Sequence, residues 1–266
     1  MGNCLHKKEF TWSDENEPHA MRRKEILTYH PEIKTLFGPD IRLLPCVILM
    51  VVAQFGFAYL TQDFSWSLYI LSAYVVGGTI SHSMSLAVHE LSHGLCFENE
   101  FSNELLGMIV NCAQGIPSMI TFKRYHMEHH QKQGTDMIDV DVPTYLEGYL
   151  FQSTLGKIAF IMMQAFLYSL RPLLLSPKTM TWKEIVNWVI VMTSNVGLYL
   201  SSPSCLLYLL LSDWLGMGLH PTSGHLISEH FEFYPNQETY SYYGKMNNIT
   251  FNVGYHNEHH DFTRVS

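Results

Sequence analysis

Long charge-free stretches alternate with polar segments along the chain. Residues 43–60 are almost all apolar, and residues 64–88 follow after a short polar break at 61–65. A transmembrane helix needs about 20 apolar residues, so these two stretches predict a helical hairpin. Residues 185–200 and 205–219 form a second, shorter pair, separated by serines and a proline. The pattern predicts an all-α membrane protein with two transmembrane helical hairpins.

Two further apolar stretches fit a membrane crossing less well. Residues 105–122 contain two glycines and a proline, and residues 158–170 number only 13, so we expect both to lie at the membrane interface. With two hairpins, residues 1–40, 91–184 and 223–266 share one side of the membrane. Nearly all lysines and arginines lie on that side, and the positive-inside rule predicts that it is cytosolic.

The first 40 residues are polar and charged, and we predict a cytosolic N-terminal region over 1–40 and a membrane domain over 41–266. The start Met1-Gly2-Asn3-Cys4 partly resembles an N-myristoylation signal. His6 stands where that signal has serine or threonine. Gly2 is therefore a candidate lipidation site beside the simpler alternative of an unmodified tail.

Composition narrows the class of protein. The chain is 47% hydrophobic and 15% charged, where an ordinary soluble domain has about 25% charged residues. Its net charge of -8 argues against a nucleic-acid partner, which favours a basic surface. The five cysteines contain no C-x-x-C pair and do not form a recognisable disulfide framework. Fifteen histidines are the unusual feature.

Eight of these histidines fall into three short boxes, which read HELSH, HMEHH and HNEHH. On a helix, spacings of three and four place side chains on one face, so each box can direct its imidazoles at one point. All three boxes lie on the predicted cytosolic side. Together they can build a site for two metals, with these candidate ligands: His89, His93, His126, His129, His130, His256, His259 and His260.

A ninth ligand is expected from the histidine-containing segment 218–230, which follows the last apolar stretch. His225 is the first choice and His230 the second. His220 precedes a proline and is expected to be structural. His82 lies on the same helical face as the first box but deeper, where a polar core residue is the more common case.

The ligand type indicates the chemistry. Neutral imidazole binds iron, zinc or copper without adding negative charge, which leaves a metal centre electron-poor and strongly oxidising. Nearby acids are expected to orient some of the imidazoles; the candidates are Glu90, Glu128, Asp136, Asp139, Asp141, Glu229, Glu258 and Asp261. One alternative stays open, because HELSH also matches the zinc-protease signature H-E-x-x-H, with Glu90 as general base. That hypothesis leaves six clustered histidines without a role.

The boxes and the segments around them resemble the membrane fatty-acid desaturases. Within that family the chain is most similar to the sphingolipid Δ4-desaturases, the dihydroceramide desaturase group. Besides the three boxes, the resemblance rests on residues 22–27, 82–88, 122–125, 139–144, 168–173, 218–230, 238–244 and 250–262. Members of the family continue beyond the third box, and Thr263 stands where they usually have proline, so the resemblance implies a chain truncated at its carboxyl end.

The resemblance implies an activity and its requirements. The family introduces a trans double bond between carbons 4 and 5 of the sphinganine chain of dihydroceramide, giving ceramide, and some members also hydroxylate carbon 4. It implies two non-haem irons, dioxygen, and electrons from NADH through cytochrome b5 reductase and cytochrome b5. Since the chain has no H-P-G-G haem motif, cytochrome b5 would be a separate partner. The implied location is the endoplasmic reticulum membrane, with the active site facing the cytosol.

Substrate specificity is expected to depend on the polar head group. A hydrophobic slot discriminates by only about 1–3 kcal/mol per methylene, so the head must be anchored and the chain bent at the metals. On resemblance and position, the candidate anchoring residues are Tyr240, Tyr242, Tyr243 and Asn252.

Overall fold

The computed structural model of the protein describes residues 18–135, 137–231, 234, 237 and 239–266. These residues form α-helices joined by turns, short 3₁₀ segments and one π-helical segment. Two isolated β-bridges occur, and the described residues contain no β-strand. The prediction of an all-α protein is confirmed. Gly2 lies outside the described residues, so its lipidation stays a prediction.

The first half of the described chain follows the predicted apolar pattern. Helix α2 ends at Leu60 and the next helix starts at Trp66, which places the turn at the expected break. The second apolar stretch is helical throughout, but its middle is a π-helical segment containing adjacent glycines, Gly77 and Gly78. The helices are α1 (His19–Tyr29), α2 (Leu43–Leu60), α3 (Trp66–Ser72) and α4 (Thr79–Ser92), with the π segment Ala73–Gly78 between the last two.

The second half alternates short and long helices with clear local start signals. Thr144 and Thr181 each form a reciprocal capping box with a glutamate three residues later, which satisfies backbone N–H groups at the helix start. The helices are α5 (Glu100–Gln114), α6 (Met119–Lys132), α7 (Tyr145–Leu150), α8 (Thr154–Met162), α9 (Gln164–Leu175), α10 (Trp182–Ser201), α11 (Pro203–Met217), α12 (His225–Ser228) and α13 (His256–Asp261).

The main core holds the helices that carry the first two histidine boxes. Helices α2, α4, α5 and α6 meet around fully buried side chains that include Val47, Met84 and Val110. A second cluster joins α2, α3 and α11 around Tyr208. Helix α11 also packs directly against the π segment. The two backbones are so close that a Cβ atom at Gly216 would lie 2.5 Å from the backbone oxygen of Gly78. This packing fixes α4 and α6 relative to each other.

Membrane-crossing capacity is clearest for one element. Among the described helices, only α2 is both long and apolar enough to cross alone. The pairs α5–α6 and α8–α9 would each qualify only as one span, and they bend by 116° and 76°. The two bends fall within residues 105–122 and 158–170, the stretches for which the sequence predicts a place at the membrane interface. Helix α4 is less apolar than expected because its buried face carries Ser81, His82 and Ser83.

Candidate metal centre

Three helices bring the histidine boxes together. His89 lies on α4 and His93 immediately follows that helix, whereas the second box lies within α6 and the third makes up most of α13. The first box lies wholly in one group of histidines, whereas the second and third boxes each divide between two neighbouring groups. The convergence of the three helices on a shared centre comes from the tertiary packing.

Five histidines form a first group, in which one ring nitrogen from each lies within 4.8 Å of the others. Nε2 of His126 lies 3.0 Å from Nε2 of His93 and 3.1 Å from Nε2 of His130. Nε2 of His259 lies 3.2 Å from Nε2 of His130. Several nitrogen lone pairs that point at one small volume are the arrangement that a metal ion requires. The members are His89, His93, His126, His130 and His259.

A second group lies beside the first and contains His129, His230 and His260. His256 adjoins it, since its Nε2 lies 2.9 Å from Nε2 of His230. Nε2 of His129 and both ring nitrogens of His260 are buried without a hydrogen-bond partner. Leaving such groups unsatisfied costs about 1–3 kcal/mol each, so a metal ion bound to them fits the site.

His225, the first choice for the ninth ligand, lies outside both groups. Its Nδ1 is 2.7 Å from Oε1 of Glu229, and its Nε2 is 2.7 Å from Nε2 of His82. The short helix α12 directs His225 towards α4, and the chain that follows brings His230 to α13. His230, the second choice for the ninth ligand, is the residue of this segment that lies in the second group. His220 hydrogen-bonds within its own turn through Thr222, away from both groups.

Carboxylates contact the outer nitrogens of several imidazoles. Nδ1 of the fully buried His129 lies 2.9 Å from Oδ1 of Asp139, a carboxylate that also accepts backbone N–H bonds from Gly134 and Asp141. A carboxylate on one ring nitrogen fixes the tautomer and turns the other nitrogen towards a metal. Asp141 lies 3.5 Å from Nδ1 of His126 and accepts a hydrogen bond from Tyr168.

The other predicted acids divide by function. Glu90 and Glu229 contact histidine nitrogens, at 3.2 Å from Nδ1 of His89 and 3.7 Å from Nδ1 of His256. Glu128 pairs with Lys178, and Glu258 accepts hydrogen bonds from Ser241 and Tyr243. Asp261 contacts Arg22 and His19, a histidine outside the three boxes. Asp136 lies outside the described residues.

Burial keeps the third box neutral. Loss of hydration, reinforced by neighbouring imidazoles, lowers the pKa of His256, His259 and His260 well below the usual histidine value. The same burial lowers the pKa of His230 to about 3. A neutral imidazole keeps its lone pair, so these residues are competent metal ligands at neutral pH.

A cavity of about 100 Å³ touches both histidine groups. Its wall includes His89 and His126 of the first group, His230 of the second, and the apolar side chains of Leu86 and Phe122. Larger cavities of about 420 and 400 Å³ flank it, and Val253 lines all three. A cavity that passes two metal-competent groups can receive part of an extended chain.

The four candidate anchoring residues separate in the structure. Tyr240 and Tyr242 line the 420 Å³ cavity together with Ser241, and this cavity shares His225 and Glu229 with the central one. Asn252 lines the opposite cavity. Tyr243 is exposed and donates a hydrogen bond to Glu258.

Comparison with known protein families agrees with this geometry. A family profile described as fatty acid desaturase matches residues 64–266, a region that contains all three boxes and His230. A second profile, described as sphingolipid Delta4-desaturase (DES), matches residues 6–42, which include α1. The chain therefore belongs to the fatty acid desaturase family. No solved structure matches the chain.

Curated relatives narrow the class. The whole chain aligns with sphingolipid delta(4)-desaturase DES1 of Mus musculus at 46% identity and of Homo sapiens at 45%, covering 83% of each relative. The protein of the same name from Drosophila melanogaster is 48% identical over the whole chain and 84% of its own length. The chain therefore belongs to the sphingolipid Δ4-desaturases within the fatty acid desaturase family.

Proposed function

We propose that this protein desaturates the sphinganine chain of dihydroceramide between carbons 4 and 5, giving ceramide. The observation that carries the proposal is the pair of buried histidine groups beside one narrow cavity, in a chain 45–48% identical to sphingolipid delta(4)-desaturases. The overall reaction removes two hydrogen atoms from the lipid. Dioxygen accepts them together with two electrons and two protons, and leaves as two waters.

The metals are proposed to be two non-haem irons. The first group would hold one iron through His89, His93, His126, His130 and His259, and His129, His230 and His260 with the adjoining His256 would hold the other. His225, which the sequence predicts as a ligand, lies outside both groups and contacts Glu229 and His82, so it is proposed here as a site residue beside the direct ligands. When bound, iron supplies dioxygen activation, with NADH, cytochrome b5 reductase and cytochrome b5 as the proposed electron source.

The protein's own residues then determine where the lipid reacts. Leu86, Phe122 and Met217 supply the apolar part of the wall of the central cavity, and Asp139 holds His129 in one orientation. Tyr240 and Ser241 line the neighbouring cavity, where the lipid head is proposed to lie, and the Ser241 hydroxyl itself donates to Glu258 and accepts from the backbone N–H of Asn257. Since a hydrophobic slot alone discriminates weakly, this polar end sets the position of carbon 4.

The zinc hydrolase alternative fits the geometry less well. Catalytic zinc sites usually have three protein ligands and one open position for water. Here His89 and His93 converge with three further histidines, and Glu90 lies 3.2 Å from Nδ1 of its own neighbour His89. The signature is therefore part of a larger histidine group.

Two transmembrane hairpins, α2 with α3–α4 and α10 with α11, are proposed to place the metals at the cytosolic face of the endoplasmic reticulum membrane. Apolar side chains are largely exposed on the outer surfaces of α2 and α10, including Leu49 and Leu200 at 69% and 78%. Such surfaces fit contact with lipid. The topology requires the 61–65 turn to lie opposite the boxes.

Cysteine labelling is expected to place Ser67 and Met180 on opposite sides of the membrane. Both residues are exposed, near the first turn and just before α10 respectively. A membrane-impermeant maleimide added to sealed microsomes should modify a cysteine at Met180 in a cysteine-free background. It should modify one at Ser67 only after the membrane is opened. Equal labelling of both in sealed microsomes would contradict the two-hairpin topology.

Product analysis tests the activity itself. Cells that lack their own dihydroceramide desaturase, expressing this chain with cytochrome b5, should convert labelled dihydroceramide mainly to the 4,5-unsaturated product. Both desaturation and hydroxylation begin with loss of hydrogen from carbon 4, and about 1.4 kcal/mol between the two following barriers gives a tenfold product ratio. Mass spectrometry separates the outcomes: mainly 4-hydroxylated product would support the hydroxylase alternative, and iron-loaded protein without product would oppose both.

A further inference from the structure

The third histidine box lies on a helix that cannot hold its own position. Helix α13 has six residues, and no side chain caps its start. Helices shorter than about 12 residues are marginal in water, so neighbouring segments must support α13. The helix carries His256, His259 and His260, which contribute to both histidine groups. Whatever holds α13 therefore sets the geometry of the metal centre.

The N-terminal helix α1 supplies much of that support. Arg22 donates from Nε to both carboxylate oxygens of Asp261, at 3.0 and 2.8 Å, and from Nη2 to Oδ1 of Asn257 at 2.7 Å. His19 is 2% exposed, and its Nδ1 lies 2.8 Å from Oδ1 of Asp261. These contacts join segments more than 230 residues apart in sequence.

Burial of Asp261 makes its partners necessary, and the Arg22 side chain, which is 39% exposed, reaches it from the surface. Asp261 is only 4% exposed, and a buried carboxylate is stable only with charged or hydrogen-bonding partners. Arginine is suited to this because its planar guanidinium presents several donors in a fixed arrangement. Asp261 directly follows His260, and the His19 ring lies against the His260 ring with centroids 4.9 Å apart. A shift of α1 would therefore move His260.

We propose that α1 positions the metal centre, with Arg22 and His19 holding Asp261 and so orienting His260. This inference rests on the proposed function, since it assumes that His260 binds iron. Arg22 and His19 are positioning residues, because they act through Asp261 and α13. The helix begins and ends within the region matched by the sphingolipid Delta4-desaturase profile, and the contact joins that region to the fatty acid desaturase core.

Loss of Arg22 is expected to loosen iron. Arg22→Ala should bind one iron about 10–100-fold more weakly, which is the usual loss of affinity when a group that orients a metal ligand is removed, and should release that iron to a chelator faster than the unmodified protein. Arg22→Lys keeps the charge but not the paired hydrogen bonds, so an intermediate rate is expected. The matched control is Arg23→Ala, one residue along the same helix and exposed, which should leave the rate unchanged.

The measurement uses full-length protein purified in detergent and loaded with iron, with Mössbauer spectra recorded before chelation. A double variant separates positioning from general damage. Arg22→Ala and Asp261→Asn each remove the same contact between Arg22 and Asp261. The protein that carries both changes should therefore release iron no faster than the single variant with the faster release. Unmodified protein without bound iron would overturn the proposed metal centre. If Arg22→Ala instead binds two irons, with the release rate and Mössbauer spectra of the unmodified protein, the positioning role of Arg22 is overturned and the proposed metal centre is not.

If Arg22→Ala does not fold, the comparison of Arg22→Lys with Arg23→Ala decides. Unfolding midpoints of these two variants should match, while their release rates differ. Equal release rates would contradict the proposal.

Discussion

Replacing His129 with alanine is expected to remove one iron and abolish desaturation. His129 is 1% exposed, its Nε2 has no hydrogen-bond partner, and its Nδ1 is held by Asp139. The substitution deletes a central member of the second group, which has few other nitrogens to take its place. Iron content per chain, measured on purified protein, should fall by about half, and labelled dihydroceramide should yield no product.

Two variants define the specificity of that result. Asp139→Asn keeps the imidazole but removes the carboxylate that orients it, so activity or iron affinity should fall about 10–100-fold. His30→Ala changes an exposed histidine, whose ring contacts only Glu32 among the described side chains, and should leave both iron and product unaltered. A single zinc per chain, with activity that survives His129→Ala, would contradict the iron hypothesis.

Leu86→Trp is expected to block the lipid while the metals stay in place. Leu86 lies on α4, three residues before His89, and its side chain lines the central cavity. Because this cavity measures only about 100 Å³, an indole would fill it. Product formation should fall by about 100-fold, which corresponds to ~2.7 kcal/mol in the activation barrier.

The controls for this variant test location and size. Leu86→Ala enlarges the same cavity and should retain most of the turnover, and Leu71→Trp places the same indole on an exposed face of α3. Iron content should match the unmodified protein in all three variants, whereas the unfolding midpoint of Leu86→Ala should fall because the change truncates a buried leucine. Normal turnover by an iron-loaded Leu86→Trp protein would show that the lipid does not pass through this cavity.

Local features of the fold follow from the sequence because their causes are local. Charge-free runs predicted α2 and the helical stretch from α3 to α4, and a five-residue polar break predicted the turn at 61–65. The spacing of three and four residues within each box predicted that its histidines share a helical face. The π segment at Ala73–Gly78 was not predicted, because it depends on the close packing of α11 against adjacent glycines.

The choice between His225 and His230 depended on tertiary structure. Both residues lie in one segment with similar polarity, and no spacing rule separates them. The structure turns His225 towards His82 and brings His230 to His129 and His260. His19 and Arg22 were likewise given no site role from sequence, although Arg22 lies in a stretch that carries the family resemblance. Their contact with Asp261 spans the chain, so no local pattern could reveal it.

The sequence by itself determined the all-helical class and the grouping of eight histidines into three boxes, because hydropathy and helical periodicity are properties of neighbouring residues, and its resemblance to known desaturases indicated the family. Tertiary structure alone decided how the histidines divide into two groups, which carboxylates orient them, and how α1 supports the third box. Those features arise where segments distant in sequence pack together, and their geometry depends on how buried charges and imidazoles find partners.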